Sequence, residues 1–287
     1  MSRKVRRTLG FGAVAVGVIS ALALVFALGD DGPGGRGGGG AVAVPPPAHQ
    51  DGDGPPLPVG QTGGWEMAFS DEFDGSSLDA GRWADESGAE ADNGRGNKKN
   101  KQLEWNQAAN CAVGDGELTM TARREAVTSP SGERYEWTSC LISSTPSYGF
   151  RYGYVEERAV LPRARGFWPA LWTWQAPFEN RYIETDVYEF YSETRHRLDL
   201  TQHSGAGGNC KPALPFDPAD GWHTYGAAIE ESGTTWYVDG VEVCRTPATS
   251  DGVTNIVSNL AVFAEVPPAA GTTEAVKRVD YIRAWER

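Results

Sequence analysis

Residues 181–191 read Arg-Tyr-Ile-Glu-Thr-Asp-Val-Tyr-Glu-Phe-Tyr. The three acids of this segment, Glu184, Asp186 and Glu189, lie among aromatic and β-branched residues, a composition typical of a β-strand. Strand side chains alternate between two faces, so Glu184 and Asp186 share a face while regular alternation would turn Glu189 away. A β-bulge near residues 187–188 would return Glu189 to the first face. We therefore predict a bulged strand with three carboxyl groups on one side.

Three carboxyl groups on one strand face repel one another. Repulsion raises the pKa of at least one of them, so that one acid stays protonated while another is ionised. One protonated acid and one carboxylate are the two groups needed to cleave a glycosidic bond with retention of configuration. The alternative is an exposed face carrying solvated acids. Four flanking rings favour the catalytic interpretation, because a solvated face seldom needs them. These rings belong to Tyr182, Tyr188, Phe190 and Tyr191.

From Trp65 onward the sequence consists of short alternating runs separated by turns. No amphipathic helix and no repeat of fixed period stands out. Asp239-Gly240 has the composition of a hairpin turn. Many short strands with regular turns indicate an all-β sandwich of antiparallel sheets. The runs predicted as further strands are 117–122, 138–143, 152–161, 225–230, 234–238, 241–244, 257–263 and 279–285.

The 287 residues divide into three parts by composition. Residues 1–28, basic and then apolar, are predicted to be a signal peptide or an uncleaved membrane anchor. Residues 29–64 are rich in Gly and Pro and are predicted to be a disordered linker. Residues 65–287 suit one large all-β domain. We therefore expect a protein that is secreted, or tethered to the outer face of the cell membrane through its N-terminal segment alone.

The formal net charge is −12 at pH 7. Such an acidic protein binds nucleic acid or an anionic polymer poorly, so we expect no nucleic-acid partner. A neutral polysaccharide is the better candidate substrate. We expect a monomer.

Four cysteines lie in the part of the chain that is predicted to be exported. An even number outside the cytosol indicates two disulfides, for which three pairings are possible. We expect the nearest neighbours in sequence to pair, Cys111 with Cys140 and Cys210 with Cys244. No Cys-x-x-Cys pair occurs, which disfavours a metal site built from these residues.

Ten tryptophans are unusually many for one domain, and three of them are clustered. Trp168, Trp172 and Trp174 are spaced for one face of a strand. Core packing is one explanation for such rings. The other is stacking against the flat apolar faces of sugars, which would make a cleft with carboxyl groups and indoles a carbohydrate site. Motifs for a serine hydrolase or for phosphate binding are missing from the sequence.

Several blocks of sequence occur in the order found in glycoside hydrolase family 16, the laminarinase-like β-glucanases, and the chain resembles that family from about Trp65 to Arg287. Its signature Glu-x-Asp-x-x-Glu is matched by residues 184–189. The resemblance implies a concanavalin A-like β-jelly roll of two curved antiparallel sheets, with a cleft on the concave face. The other matching blocks are residues 70–75, 115–118, 138–142, 152–162, 166–172, 236–240, 259–262 and 279–283.

The resemblance also implies roles for the acids. Glu184 would be the nucleophile and Glu189 the acid that later acts as a base, with carboxyl groups roughly 5–5.5 Å apart. Asp186 would orient the nucleophile and help to keep Glu189 protonated. The residues that the family pattern places along the substrate are Trp168, Trp172, His203, Asn259, Glu104 and Trp105.

The family's bulged form of the motif accompanies laminarinases, agarases and carrageenases. The chain is therefore expected to be a secreted retaining endo-glycosidase acting on β-1,3-glucan. An agarase, or a hydrolase of another β-galactan or of mixed-linkage glucan, is the alternative within the family. A non-catalytic β-glucan-binding module and a transglycosylase also remain open, because the sequence does not separate hydrolysis from transfer.

Catalysis of this kind needs no cofactor. The resemblance does imply a structural calcium ion on the convex face, with Asp280 as the side-chain ligand and backbone carbonyls near Glu72 and Gly116. The alternative is that Asp280 is a strand-end residue without a metal.

Overall fold

A computed structural model describes residues 55–89, 91–175, 183–249 and 251–287. Regular structure in these residues is almost entirely β, with three short 3₁₀ helices at Ala91–Gly94, Lys98–Asn100 and Ala108–Asn110. The strands are β1 (Glu66–Asp71), β2 (Glu104–Asn106), β3 (Cys111–Gly114), β4 (Glu117–Arg123), β5 (Val127–Thr128), β6 (Arg134–Tyr135), β7 (Trp137–Ser139), β8 (Leu141–Ser143), β9 (Gly153–Val160), β10 (Phe167–Gln175), β11 (Glu184–Glu189), β12 (Asp199–Gln202), β13 (Gly208–Cys210), β14 (His223–Glu230), β15 (Gly233–Val238), β16 (Val241–Thr246), β17 (Thr254–Val262) and β18 (Glu274–Glu286).

Two sheets form the body of the domain. The larger has ten strands in the order β16-β15-β14-β9-β18-β4-β7-β2, with β1 paired to β18 and β3 paired to β4. The smaller has six strands in the order β13-β12-β11-β10-β17-β8. Pairing is antiparallel in both sheets apart from the contact of β2 with β7. The predicted all-β sandwich is confirmed.

Strand alternation decides which side chains of the six-stranded sheet enter the core. Phe167 and Leu171 of β10 have no exposed surface and belong to the main hydrophobic cluster between the sheets. Trp168, Trp172 and Trp174 point to the other side, as their spacing predicts. The outer face of this sheet is therefore rich in indoles.

The predicted strands all occur, with one instructive difference. The run 138–143 is divided at Cys140 into β7 and β8. β7 pairs within the ten-stranded sheet, whereas β8 pairs with β17 of the six-stranded sheet. A single run of residues thus passes from one sheet to the other, which alternation alone does not reveal. The Asp239-Gly240 turn is confirmed, since both residues have positive φ, of 49° and 77°, as a type I′ hairpin requires.

Both predicted disulfides are present. Cys111 pairs with Cys140 at the place where the chain changes sheets. Cys210 of β13 pairs with Cys244 of β16, so this bond joins the edge of the six-stranded sheet to the edge of the ten-stranded sheet. Each bond closes a loop and stabilises the fold chiefly by restricting the unfolded chain.

The last residues of the predicted linker pack against the folded domain. The Nε1–H of Trp285 donates to the carbonyl of Pro56 at 2.8 Å, and the Val59 amide donates to a Glu156 carboxyl oxygen at 3.1 Å. Gly60 lies so close to Gly240 that a Cβ there would be 2.3 Å from its carbonyl oxygen. The packed chain therefore begins before Trp65, which corrects the predicted boundary.

The predicted N-terminal signal or anchor, residues 1–28, and the linker up to residue 54 lie outside the described residues. Within the residues that the structure covers, no helix combines the length and apolar character needed to cross a membrane.

Candidate active site

The acid-bearing strand contains the predicted bulge. Leu171 of β10 pairs with Tyr188, and its neighbour Trp172 pairs with Asp186, so Val187 is the extra residue. Both Val187 and Tyr188 are buried in the core. The bulge thus turns two successive side chains inward, and the carboxyl of Glu189 returns to the outer face.

A cleft of about 410 Å³ lies on this outer face. Its floor comes from β10, β11 and β17, and one wall comes from the segments 87–89 and 94–102. The predicted residues that the fold brings together here are Trp168, Trp172, Glu184, Asp186, Glu189, His203 and Asn259. The cleft therefore has three acids on a floor of indoles, which is suited to a carbohydrate.

The acids are held by short polar contacts. The Nε2 of His203 lies 2.8 Å from a carboxyl oxygen of Asp186. One ligand atom each from Glu184, Asp186 and His203 lie within 4.8 Å of one another. A metal ion could bridge such a spacing, but the Asp186–His203 contact already joins two of the three groups. The Tyr191 hydroxyl donates to a carboxyl oxygen of Glu189 at 3.1 Å.

Burial changes the acidity of two of these groups. Burial, and next the nearby Asp186 carboxyl, raise the pKa of Glu189 to about 8. Burial also raises the pKa of Asp186, while its hydrogen bond with Glu189 opposes the rise. Because the two carboxyl groups share a site with little water, they titrate as a pair and hold a proton at neutral pH.

We expect the stability of the folded state to fall as the pH rises from about 4.5 to about 8. The folded chain keeps a proton on Glu189 in this window, whereas the unfolded chain releases it above the ordinary pKa of 4.5. Rising pH therefore favours the unfolded chain. Thermal unfolding midpoints across the window measure the decline, which is expected to be smaller in the Glu189→Gln variant. Equal declines in both proteins would contradict the raised pKa.

The aromatic side chains of the cleft are fixed by contacts of their own. The Nε1–H of Trp172 donates to the side-chain oxygen of Asn259 at 3.0 Å. The Trp168 ring stacks on Tyr191, with centroids 4.9 Å apart and planes inclined by 23°. Tyr191 was not among the predicted site residues. Its position two residues after Glu189 is the sequence signal that would have placed it on the same face.

The flanking rings differ in role from what the sequence suggested. Tyr188 and Phe190 are buried in the core, so they support the strand from behind. Of the three rings that the structure covers, only that of Tyr191 lines the cleft. Tyr182 lies outside the described residues.

Glu104 and Trp105 do not line the cleft, contrary to the prediction. Glu104 has no exposed surface and accepts a hydrogen bond from the Val262 amide at 2.7 Å. Its burial raises its pKa to about 7. Trp105 is buried against Tyr135. Both side chains are buried in β2, which pairs with β7, and the neighbouring segment 97–102 faces the cleft instead.

The side chain of Asp280, the predicted side-chain ligand of calcium, already has a partner. A carboxyl oxygen of Asp280 accepts from the Arg158 guanidinium at 2.6 Å. The Glu72 carboxylate receives two bonds from Arg283, at 2.9 and 2.6 Å. An arginine therefore balances each of these two carboxylates, whereas the ligands predicted near Glu72 and Gly116 are backbone carbonyls. This arrangement gives the predicted site no support, and calcium binding stays a prediction.

Residues 97–281, which include the whole acid motif and the cleft floor, match the family model described as Glycosyl hydrolases family 16. The chain belongs to family 16. The sequence-based assignment to this family is confirmed, and the jelly roll is the fold of its solved members.

Known family 16 proteins are similar along most of the domain. The chain is 29% identical over 252 residues to the endo-1,3-1,4-beta-glycanase EglC of Rhizobium meliloti, covering 76% of this chain and 51% of that protein. It is 28% identical to a glucan endo-1,3-beta-glucosidase of Cryptopygus antarcticus, covering 78% of this chain and 93% of that protein. The endo-beta-1,3-glucanase of Pyrococcus furiosus superposes with a TM-score of 0.69 at 27% identity, covering 77% and 94% of the two chains. This family 16 chain spans about half the length of the first curated relatives it matches.

Proposed function

We propose that this protein is a retaining endo-glycosidase that hydrolyses β-1,3-glucan by double displacement. The observation that carries the proposal is the convergence of Glu184, Asp186 and Glu189 on one indole-lined cleft. A non-catalytic glucan-binding module would need the indoles but not three acids, one of which is held protonated at neutral pH.

In the first step the Glu184 carboxylate attacks the anomeric carbon as Glu189 protonates the departing glycosidic oxygen. The C–O bond to the leaving sugar breaks, and a covalent glycosyl-enzyme forms. The raised pKa of Glu189 suits the acid role, because its proton is available at neutral pH.

In the second step the Glu189 carboxylate takes a proton from water, which attacks the anomeric carbon from the side that the leaving group vacated. The bond to Glu184 breaks, and the product keeps the β configuration. Asp186 lies between the two glutamates in sequence and contacts His203. Its partly protonated carboxyl can donate a hydrogen bond that orients the nucleophile.

The substrate class follows from the floor of the cleft and from the relatives. Trp168 and Trp172 offer apolar ring faces to neutral sugars, and the chain's charge of −12 disfavours sulfated galactans. The similar proteins of Cryptopygus antarcticus and Pyrococcus furiosus are named for action on β-1,3-glucan. We infer the same linkage here, with mixed-linkage glucan as the second candidate because of the Rhizobium relative.

We place this activity outside the cytosol. Two disulfides, one joining the edges of the sheets, are stable in an oxidising compartment and rare in the cytosol. The predicted export segment at residues 1–28 agrees with that location.

The test is to incubate the full chain with laminarin, lichenan, agarose and xylan and to follow new reducing ends and product lengths. Rapid shortening of laminarin, with β-configured first products by NMR, would support the proposal. Cleavage of agarose alone would keep the mechanism and overturn the substrate. Products longer than the substrate would identify a transglycosylase. Binding to a glucan without any cleavage would leave a recognition module.

In the Tyr191→Phe variant, the pKa that sets the high-pH limb of the kcat/KM profile is expected to be higher by about one pH unit. A hydrogen bond to a charged group is worth roughly 1.5 kcal/mol, which corresponds to a shift of this size. The hydroxyl donates to the Glu189 carboxyl and so favours its ionised form. Rate profiles on laminarin between about pH 5 and pH 10 measure the shift.

Tyr148→Phe is the matched control, because its hydroxyl donates to Glu286 at 2.9 Å away from the cleft. The control should leave the profile unchanged. An unshifted limb in Tyr191→Phe would show that another group sets it.

A further inference from the structure

A fully buried ion pair lies between the two sheets, behind the strand that carries the acids. Lys277 of β18 and Glu157 of β9 both have no exposed surface. The lysine Nζ is 3.0 Å from a Glu157 carboxyl oxygen. Both residues belong to the ten-stranded sheet and point toward the six-stranded sheet.

The remaining hydrogen bonds of the pair go to the opposite sheet. Lys277 donates to the Ser258 hydroxyl at 2.8 Å and to the Ala170 carbonyl at 3.2 Å. Glu157 accepts from the Tyr188 hydroxyl at 2.5 Å and from the Ser258 hydroxyl at 2.7 Å. All three ammonium protons thus have partners, as a buried lysine requires.

These contacts converge on the backbone that positions Glu189. Tyr188 directly precedes Glu189 and follows the extra residue of the bulge. Ala170 is the residue paired with Glu189 across β10 and β11. A third side chain from the ten-stranded sheet, Trp236, donates to the Asp186 carbonyl at 2.8 Å. Side chains of the ten-stranded sheet therefore form hydrogen bonds with the residues on both sides of Val187, Asp186 and Tyr188.

Stability alone does not account for a buried ion pair at this position. A buried pair contributes little compared with apolar side chains of similar size, because desolvation offsets the attraction. Its best-attested use is to fix one register against another. Here a slip of one residue in the bulge would turn Glu189 from the cleft into the core.

We propose that Glu157 and Lys277 are positioning residues that hold the bulge of β11 and thereby direct the Glu189 carboxyl into the cleft. The kinetic part of this proposal rests on the proposed role of Glu189 as the catalytic acid and base. The structural part, the position of Glu189, does not depend on any activity.

The decisive variant is Glu157→Leu/Lys277→Met in the full chain, which removes both charges together and leaves neither unpaired. Crystal structures of this variant and of the wild type give the first readout. We expect an intact sandwich in which Glu189 has moved away from the Tyr191 hydroxyl, now at 3.1 Å. An unchanged bulge and an unchanged Glu189 would overturn the proposal, whatever the substrate proves to be.

Kinetics give the second readout. We expect kcat on laminarin to fall by about 10- to 100-fold with KM unchanged, as misplacement of a catalytic group by about 1 Å produces. On dinitrophenyl β-laminaribioside with added azide, the variant should approach the wild-type rate. The dinitrophenolate leaving group needs no general acid, and azide needs no general base. A folded double variant with wild-type kcat on laminarin would overturn the proposal. If the wild type cleaves no glycan, the proposed function fails, and the position of Glu189 in the variant still decides this inference.

Removal of one hydroxyl oxygen tests the hydrogen bonds of the Glu157–Lys277 pair with a smaller perturbation. Tyr188→Phe removes one bond to Glu157, so we expect a fall of kcat smaller than in the double variant, again with KM unchanged. Tyr225→Phe is the matched control, since this tyrosine is buried beside Tyr188 and its hydroxyl makes no hydrogen bond within the described residues. Equal rates in the two variants would count against the role of Tyr188 in the network.

Discussion

The Glu184→Gln variant is expected to lose laminarin hydrolysis by a factor of about 10⁴ or more in kcat, because an amide cannot form the glycosyl-enzyme. Glutamine keeps the size of the side chain and its place on β11, so folding should be unaffected. Reducing-end release and the thermal unfolding midpoint check the two parts of this expectation. Glu136→Gln, at an exposed residue that does not line the cleft, is the control and should keep full activity.

Alanine variants separate the two glutamates by the product formed with azide. In Glu184→Ala, azide would displace an activated leaving group directly and give an α-glycosyl azide. In Glu189→Ala, azide would attack the glycosyl-enzyme on Glu184 and give a β-glycosyl azide. The reverse configurations would exchange the proposed roles of the two residues. A Glu184→Gln variant with wild-type activity would remove Glu184 from the mechanism.

The Lys277→Met variant is expected to lose about 3–5 kcal/mol of unfolding free energy, because it leaves the Glu157 carboxylate buried without its counter-ion. Methionine fills much of the volume, so lost charge compensation dominates over lost packing. Urea unfolding measures the change. Both partners have no exposed surface, and water cannot relieve the carboxylate without opening the sandwich.

Two controls bracket the effect on stability. The double variant Glu157→Leu/Lys277→Met should recover most of the loss and can exceed the wild type by about 1–4 kcal/mol. Lys98→Met breaks the exposed pair with Glu133 and should change stability by less than about 1 kcal/mol. If Lys277→Met is no worse than Lys98→Met, the pair is not buried as the structure shows.

The two large predictions address different properties of one strand. Glu184→Gln removes a reacting atom and leaves the scaffold intact. Lys277→Met disturbs the scaffold behind the strand and replaces none of the three acids. Together they separate the chemistry of the cleft from the packing that supports it.

The sequence predicted much of the fold because strand signals are local. The period-two alternation of the tryptophans placed Trp168, Trp172 and Trp174 on the outer face, as observed. The three acids at positions 184, 186 and 189 required a bulge, and Val187 is the extra residue. The nearest-neighbour disulfides were correct as well.

Some features could not be predicted because they depend on which distant strands become neighbours. Glu104 was assigned to the cleft from a loose family match, but the pairing of β2 buries it against the amide of Val262. The split at Cys140 and the packing of residues 56–60 are likewise contacts between remote parts of the chain.

The sequence by itself determined the strand pattern, the family and the three acids, because each of these is encoded in a few neighbouring residues. The tertiary structure decided which side chains surround the acids and how strongly burial raises the pKa of Glu189. It also decided that Lys277 meets Glu157 behind the bulge, through β18 and β9. The burial of Glu189 and the pairing of Lys277 with Glu157 arise only when the sheets stack, so no local sequence pattern predicts them.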